Sequence, residues 1–279
     1  MTQPGLTVLG KRDRRNALER AALLPDPGHV LICADLSQVD ARAMAACSQD
    51  PAYMAALAPG EDLHTAVAAR VFGDPSRRSD AKAITHGTTY GMGAGRLAEA
   101  VGCTPYEAQQ MLNSFRQSYP GLESFKGQLR QQVEHAGGYT TPFGRRISVD
   151  RGAAYTQAPA LMGQGTARDL MMEGVLRLPG WLAEGLRGIV HDEIVVCVPV
   201  ERAEEARAEL KRSLQFSFCP PGCATPIPVL AEVSPPGLDW ADCYREEKPW
   251  PEVARTHREQ PDCDDAECTW HAPGRLMGR

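Results

Sequence analysis

Short apolar runs bounded by turn residues predict strands near both ends of the chain. Residues 28–33 form a β-rich run that follows a Pro/Gly turn cluster and ends at Asp35. Residues 189–198 form a second run, which three polar residues at 191–193 interrupt, and this pattern predicts two strands joined by a charged tip. A third run at 226–233 predicts a final strand.

The segments between these runs carry the spacing and composition of helices. The predicted helical segments are 40–58, 63–72, 79–90, 105–135, 165–176 and 201–214. The segment 105–135 is divided into two helices at Tyr119-Pro120-Gly121, because proline and glycine interrupt a helix. The glycine pair at 137–138 predicts a turn into a short hairpin.

Composition places the chain among globular proteins. Hydrophobic residues make up 43% and charged residues 23% of its 279 residues, and the mean hydropathy is −0.34. No apolar stretch is long enough for a membrane span, and the first residues do not form a secretory signal, so we expect a cytoplasmic protein with no membrane partner. Nine cysteines is an odd number and predicts reduced thiols rather than a disulfide framework.

Charge is unevenly distributed. The net charge of −5 argues against binding of nucleic acid through bulk positive charge. The segment 70–146, however, contains ten Lys/Arg and six Asp/Glu, a balance of +4 that leaves −9 for the rest. A local basic surface therefore remains compatible with a nucleic-acid or phosphate ligand.

Two aspartates interrupt or end apolar β-runs, at Asp35 and Asp192. A carboxylate at the edge of a hydrophobic sheet is costly unless it is paired or bound to a metal. If the two strands are neighbours, the carboxylates would face each other across a gap that Mg²⁺ can bridge. Alternatively, they are unrelated residues at strand ends or turns.

A second group of side chains recurs at four-residue spacing along one predicted helix. Its members are Arg78, Lys82, His86 and Tyr90. Each step advances about 6 Å along the axis, a length that suits a nucleoside triphosphate, and Gly87 and Gly91 leave room for a base pair beside the two rings. Alternatively, the stripe is an ordinary basic helix face.

The order of these clusters resembles motifs A, B and C of family A DNA polymerases, the family of bacterial DNA polymerase I. Residues 35–42 match motif A, and residues 190–195 match motif C. Motif B is matched by Arg78, Lys82, His86, Gly87, Tyr90 and Gly91. Minor family signatures occur at 62–65, 71–73, 143–146 and 164–169, so the resemblance runs from about residue 28 to about residue 240.

The resemblance implies an α+β fold: a right-hand polymerase palm, built on an antiparallel sheet, with an inserted helical fingers subdomain. The implied divisions are a lead-in at 1–27, palm at 28–60, fingers at 61–153, palm at 154–240 and an acidic, mobile tail at 241–279. Few residues precede motif A, so we expect no thumb and no exonuclease domain, and a separate chain that supplies them is a candidate partner.

The resemblance also assigns roles. Asp35, Asp192 and the carbonyl of Leu36 would bind two Mg²⁺ ions, and Lys82 would act with Asp35 and Asp192 in catalysis by protonating the departing pyrophosphate. The implied dNTP contacts are Arg78, Lys82, His86, Tyr90, His64, Gln38 and Asp40. The implied primer-template contacts are Arg42, Gln164, His191, Glu193, Arg145 and Arg146. For Arg145 and Arg146 the alternative is a charged hairpin edge that discourages aggregation.

Departures from the family pattern affect nucleotide selection. Asp40 stands where a glutamate is usual, which puts discrimination against ribonucleotides in question, and His86 replaces an aromatic Phe or Tyr. The leading function is template-directed transfer of a nucleotide from dNTP to a primer 3′-hydroxyl. The alternatives are a weak or inactive fragment that binds DNA or a partner, and RNA synthesis on a shared palm.

Overall fold

A computed structural model describes residues 20–244, which form two compact units. The sheet unit contains 20–37, 173–215 and 231–244 of the described residues, and the helical unit contains Gln38–Met172 and Phe216–Leu230. The predicted lead-in before residue 20 and the predicted tail after residue 244 lie outside the described residues. No helix between residues 20 and 244 has the length and apolarity that crossing a membrane requires.

An antiparallel sheet organises the sheet unit. Its four strands are hydrogen-bonded in the order β4-β5-β1-β8. Their bounds are β1 His29–Leu36, β4 Leu186–Val190, β5 Glu193–Pro199 and β8 Ala231–Val233. The central strands β1 and β5 are buried along nearly their whole length, which explains why their sequences are continuous apolar runs rather than alternating ones.

Helices of the sheet unit cover this sheet. They include α9 Gly180–Ala183 and α10 Ala203–Leu214. The amphipathic α10 packs against β1 and β8 through its apolar face. The prediction of two strands with a charged tip at 189–198 is confirmed, and so is the helix predicted over 201–214 within two residues.

The helical unit is built mainly from seven helices that precede a small hairpin. The helices are α1 Val39–Ser48, α2 Pro51–Ala55, α3 Leu63–Phe72, α4 Arg78–Thr89, α5 Ala94–Val101, α6 Pro105–Ser118 and α7 Pro120–Ala136. The remaining strands are β2 Gly138–Thr140, β3 Arg146–Ser148, β6 Phe216–Phe218 and β7 Ile227–Val229. The predicted helices at 63–72 and 79–90, the division at residues 119–121 and the hairpin are confirmed.

Two of the predicted helices have different boundaries in the structure. The helix predicted over 40–58 is two helices, because Gln49 adopts a left-handed conformation and Asp50 begins α2 with Pro51 at its first position. The helix α8, Ala154–Leu176, begins eleven residues before the predicted start and retains Pro159 inside it, at the loss of one helical hydrogen bond.

The final predicted strand, 226–233, is also divided. Its first part, β7, pairs with β6, whereas β8 pairs with β1 in the main sheet. At the start of the predicted tail, Ala241 and Cys243 are buried, and Cys243 packs with Trp240 against Leu31 and Cys33. Seven cysteines lie between residues 20 and 244, and each is a free thiol.

Candidate functional site

The sheet unit places the two motif aspartates on neighbouring strands. In the antiparallel pairing of β1 with β5, Asp35 is opposite Glu193. One step further along, the backbone N–H of Leu36 donates to the carbonyl oxygen of Asp192 at 2.8 Å. The expectation that the two strands are neighbours is therefore confirmed, and both aspartates are half-buried at the same end of the sheet.

A two-residue turn carries Asp192. Val190 and Glu193 are paired across the β4–β5 hairpin, so His191 and Asp192 form its tip. His191 has a φ of 56°, the left-handed conformation that the first central residue of such a turn requires. Because Asp192 belongs to the turn, it is not constrained by the regular alternation of side chains along a strand.

The donor atoms at this end of the sheet suit a hard divalent cation. The two carboxylates and the carbonyl of Leu36 are all oxygen donors, which Mg²⁺ prefers. No group of three or more His, Cys, Asp or Glu side chains within residues 20–244 forms a metal cluster. Mg²⁺ usually keeps several waters and substrate oxygens and needs only one or two carboxylates, so this donor set fits it.

The helical unit presents the basic stripe on α4. Arg78, Lys82 and His86 all lie within the helix and are exposed, and Tyr90 caps its C-terminus with 42% of its surface exposed. The predicted helical spacing of the stripe is therefore confirmed. A row of exposed cationic groups on one helix is an arrangement that can contact several phosphates in succession.

Asp62 pairs with the first residue of this stripe. The guanidinium of Arg78 donates to both carboxylate oxygens of Asp62, at 2.9 and 2.8 Å. Asp62 also accepts from the backbone N–H of Thr65 at 2.8 Å and so caps α3. The Arg78 guanidinium holds the pKa of Asp62 well below its usual range. Sequence analysis gave Asp62 no role, although an aspartate three residues before a threonine at a helix start is a capping signal.

Two histidines lie side by side in the helical unit. The ring centroids of His64 and His86 are 5.9 Å apart. His64 is 8% exposed, and its Nδ1 has no hydrogen-bond partner among the described residues. Burial, followed by the charge of His86, lowers the pKa of His64 to about 4, while burial and then Lys82 lower the pKa of His86. Both rings are therefore neutral near pH 7.

Gly87 and Gly91 pack closely against other residues of the protein, and their surroundings do not show the predicted space for a base pair. A Cβ on Gly87 would lie 2.8 Å from the sulfur of Met92. Gly91 has a φ of +67°, and a Cβ there would lie 3.0 Å from the backbone of Thr156. Both glycines are therefore required by close packing within the protein, and Gly91 also by its backbone conformation.

Tyr90 has a polar partner in the helical unit. The side-chain amide of Gln164 donates to the hydroxyl of Tyr90 at 2.9 Å. Both side chains are exposed, and each was assigned to a ligand, Tyr90 to the nucleotide and Gln164 to the primer-template. The structure thus brings together two predicted binding residues that are 74 positions apart.

Motif A continues into the first turn of α1. Gln38, at the N-cap, is held in the left-handed region with φ 54° and ψ 36°, a conformation that non-glycine residues seldom adopt. Asp40 lies in the first turn, where its negative charge is favourable at the positive end of the helix, and it is half-buried. Strained backbone of this kind is concentrated at functional sites.

Two of the predicted DNA contacts, Arg42 and Glu193, have buried side chains in the structure. Arg42 is 3% exposed and donates to the carbonyl oxygens of Leu57 and Pro228 at 2.8 and 2.9 Å, so it cross-links the helical unit internally. Glu193 is 2% exposed and lies in the interior of the sheet unit.

The two hairpin arginines have different surroundings. Arg145 forms an ion pair with Asp169, and the Nε atom of Arg145 donates to Oδ1 of that carboxylate at 2.9 Å. Arg146 is exposed and donates to the carbonyl oxygen of Ala136 at 3.3 Å. The two residues are therefore not equivalent candidates for a phosphate contact.

Comparisons with known proteins agree with these motifs. The profile described as DNA polymerase family A matches residues 1–238. The chain is 34% identical over 207 residues to the DNA polymerase of Mycobacterium phage D29, a match that covers 72% of this chain and 34% of that protein. It is also 34% identical over 255 residues to the thermostable DNA polymerase I of Thermus aquaticus, covering 85% of this chain and 29% of the relative.

A solved structure has the same fold. The POL domain of Pol1 from M. smegmatis, in complex with DNA primer-template and dNTP, superposes with a TM-score of 0.75 at 24% identity. The match covers 88% of this chain and 46% of that one. The expected α+β polymerase fold is therefore confirmed, and the chain spans about a third of the length of the curated relatives named above. On the family match across most of its length, the chain belongs to DNA polymerase family A.

Proposed function

We propose that the chain catalyses template-directed transfer of a nucleotide from dNTP to a primer 3′-hydroxyl. The observation that carries this proposal is the pairing of β1 with β5, which sets Asp35 and Asp192 at one end of the sheet. The family relationship gives the reaction class. The exposed cationic stripe on α4 supports a triphosphate as the second substrate.

In this proposal, Asp35, Asp192 and the carbonyl of Leu36 would hold two Mg²⁺ ions. Such ions stabilise the charge that develops on the attacking and leaving oxygens of an in-line phosphoryl displacement. The carboxylates fit this role because both are half-buried at the end of the sheet and keep part of their surface accessible. The protein contributes rigidity, since the two strands share a continuous ladder of hydrogen bonds.

The α4 stripe would bind the triphosphate. Lys82 would donate a proton from Nζ to the oxygen of the departing pyrophosphate as the bond between the α- and β-phosphates breaks. Arg78 would exchange its exposed partner Asp62 for a phosphate, an exchange that costs little because exposed ion pairs contribute little free energy. His64, a neutral neighbour of His86, would complete the phosphate contacts.

Base and sugar contacts would come from residues around these phosphates. His86 and Tyr90 would cover the nascent base pair, and Gln38 and Asp40 would lie near the ribose. Gln164, His191, Arg145 and Arg146 are exposed and would contact the primer-template. We also propose palm segments at 28–60 and 154–240 and a fingers segment at 61–153.

Charge-neutral substitutions at the two aspartates test the proposal. Asp35→Asn and Asp192→Asn keep size and remove the negative charge, so we expect Mg²⁺-dependent primer extension to fall at least about a hundredfold in each variant. Circular dichroism and thermal unfolding should change little. Asp26→Asn, which alters an exposed aspartate of the same unit, is the matched control. Normal extension by either motif variant would contradict the proposal.

A further inference from the structure

Three buried or partly buried side chains surround Glu193 in the sheet unit, and we call Arg20, Glu193, Trp240 and Tyr244 the Glu193 cluster. Glu193 and Arg20 are each 2% exposed. Glu193 begins β5, directly follows Asp192 and is opposite Asp35 in the strand register. Glu193 is therefore the neighbour of Asp192 along the chain and of Asp35 across the two paired strands.

Hydrogen bonds and ring contacts connect the members of the cluster. The hydroxyl of Tyr244 donates to Oε1 of Glu193. The guanidinium of Arg20 donates to the same hydroxyl at 2.7 Å and lies 3.8 Å from Glu193 Oε1. It also lies 4.0 Å above the Trp240 ring and 4.9 Å from the Tyr244 ring centroid. Tyr244 is thus the member that contacts both the cation and the anion.

These contacts hold the carboxylate of Glu193 in one position. A buried carboxylate is costly unless a charge and hydrogen bonds compensate it, so the arrangement of Arg20 and Tyr244 restricts where the Glu193 carboxylate can lie. Chains of hydrogen bonds between polar and charged groups also polarise and strengthen one another. Fixing Glu193 fixes the first residue of β5, and the hairpin turn that carries Asp192 ends at that residue.

We propose that Tyr244, acting with Arg20 through Glu193, is a positioning residue for the divalent-cation ligands Asp35 and Asp192. Tyr244 touches neither the substrates nor the cation in this proposal. The inference depends on the proposed function, because it presupposes that the two aspartates bind a cation. It adds a residue near the end of the described chain, 52 positions after Asp192, to the determinants of that site.

The test removes only the hydroxyl, in the variant Tyr244→Phe. The matched control is Tyr139→Phe, because the hydroxyl of Tyr139 is also buried and donates to the carbonyl of Ala158 at 2.6 Å, in the helical unit. The full-length chain is titrated with Mn²⁺, and the free ion is followed by electron paramagnetic resonance without DNA or nucleotide. Primer extension is then measured against Mg²⁺ and against dNTP concentration.

Both variants should lower the melting temperature, and Tyr244→Phe by more, since it loses the hydrogen bonds to Glu193 and Arg20 whereas Tyr139→Phe loses one. Only Tyr244→Phe should weaken Mn²⁺ binding, by about tenfold, and raise the Mg²⁺ concentration for half-maximal extension by a similar factor. The KM for dNTP should stay unchanged. Arg20→Lys, which keeps the charge but loses the planar guanidinium, should act in the same direction and replaces Tyr244→Phe if that variant does not fold.

The outcomes separate this inference from the proposed function. If Asp35→Asn abolishes Mn²⁺ binding but Tyr244→Phe binds Mn²⁺ within about twofold of the unaltered chain, Tyr244 is only a packing residue and the inference is overturned. The proposed function then stands. If Asp35→Asn leaves Mn²⁺ binding unchanged, both the cation site and its positioning by Tyr244 are overturned.

Discussion

Burial controls the protonation of His64, which lies beside His86 of the α4 stripe. His64 is almost completely buried, and its pKa falls from 6.5 to about 4 because the charged ring would lose its hydration. The nearby cations Arg78 and Lys82 disfavour the charged form further. A neutral ring can donate a single hydrogen bond to a phosphate without a proton being taken up from solvent.

This lowered pKa predicts a pH dependence of stability. Below pH 6.5, His64 takes up a proton in the unfolded chain but not in the folded chain. The contribution of His64 to the free energy of unfolding is therefore fully present above that pH and is lost as the pH falls toward 4. Between about pH 7.5 and about pH 5 the loss attributable to His64 is about 2 kcal/mol. In urea unfolding, the free energy of unfolding of His64→Gln should fall less over this pH range than that of the unaltered chain. The exposed control His135→Gln should show the same fall as the unaltered chain.

Lys82 and His86 should have separable effects on nucleotide incorporation. In the proposed reaction, Lys82→Ala would remove a charge-assisted phosphate contact and a proton donor, so both the dNTP affinity and the rate should fall, each by about tenfold or more. His86→Phe enlarges the stacking surface and should mainly change the preference among nucleotides. Single-turnover kinetics with correct and mismatched dNTP distinguish the two, and unchanged kinetics in both variants would contradict the assignment of α4.

At the scale of elements, a single carboxylate joins two helices of the helical unit. Asp50 is 1% exposed, and its Oδ1 accepts from the backbone N–H groups of Ala52 and Tyr53 at the start of α2. Its Oδ2 accepts from Gly121 and Leu122, at 2.7 and 3.2 Å, at the start of α7. One side chain thus satisfies four backbone donors that the helices themselves leave unpaired.

Removal of this double cap should be more costly than removal of an ordinary one. Asp50→Ala leaves buried N–H groups unpaired at two helix ends, and we expect a loss of about 3 kcal/mol in the free energy of unfolding. Thr104→Ala, which removes the exposed capping box of α6, should cost about 1 kcal/mol. Chemical denaturation measures both, and equal losses would show that Asp50 caps only one helix effectively.

For the whole molecule, the unequal distribution of charge should determine how the proposed DNA binding depends on salt. The net charge is −5, so binding must rely on a local set of cations rather than on the overall field. Arg146 is an exposed member of the basic segment, whereas Arg145 already has Asp169 as a partner. We therefore expect Arg146 to contribute more to phosphate binding than Arg145.

Fluorescence anisotropy with a labelled primer-template tests this expectation. In Arg146→Ala the slope of log affinity against log salt concentration should decrease by about 1, because one fewer counterion is released from the DNA. Arg212→Ala, which removes an exposed arginine of α10 in the sheet unit, is the control. An identical slope in Arg146→Ala and the unaltered chain would exclude Arg146 from the interface.

Local signals made much of the helical unit predictable. Proline and glycine marked the division between α6 and α7, and a regular apolar pattern gave α3 without error. Prediction failed where long-range pairing decided the outcome. The run 226–233 was divided because its two halves pair with different strands, and α8 extended through Pro159. Neither result depends on neighbouring residues alone.

The sequence by itself determined the order and spacing of the three motifs, because side-chain type and helical periodicity are local properties. The motifs in turn indicated the family and the candidate site residues. Only the tertiary structure decided which of those residues are accessible: it paired Asp35 with the Asp192 hairpin, buried Arg42 and Glu193, and set Tyr244 against that glutamate. The physical reason is that burial and pairing depend on segments that are distant along the chain, and their energies follow from the surroundings rather than from the residue type.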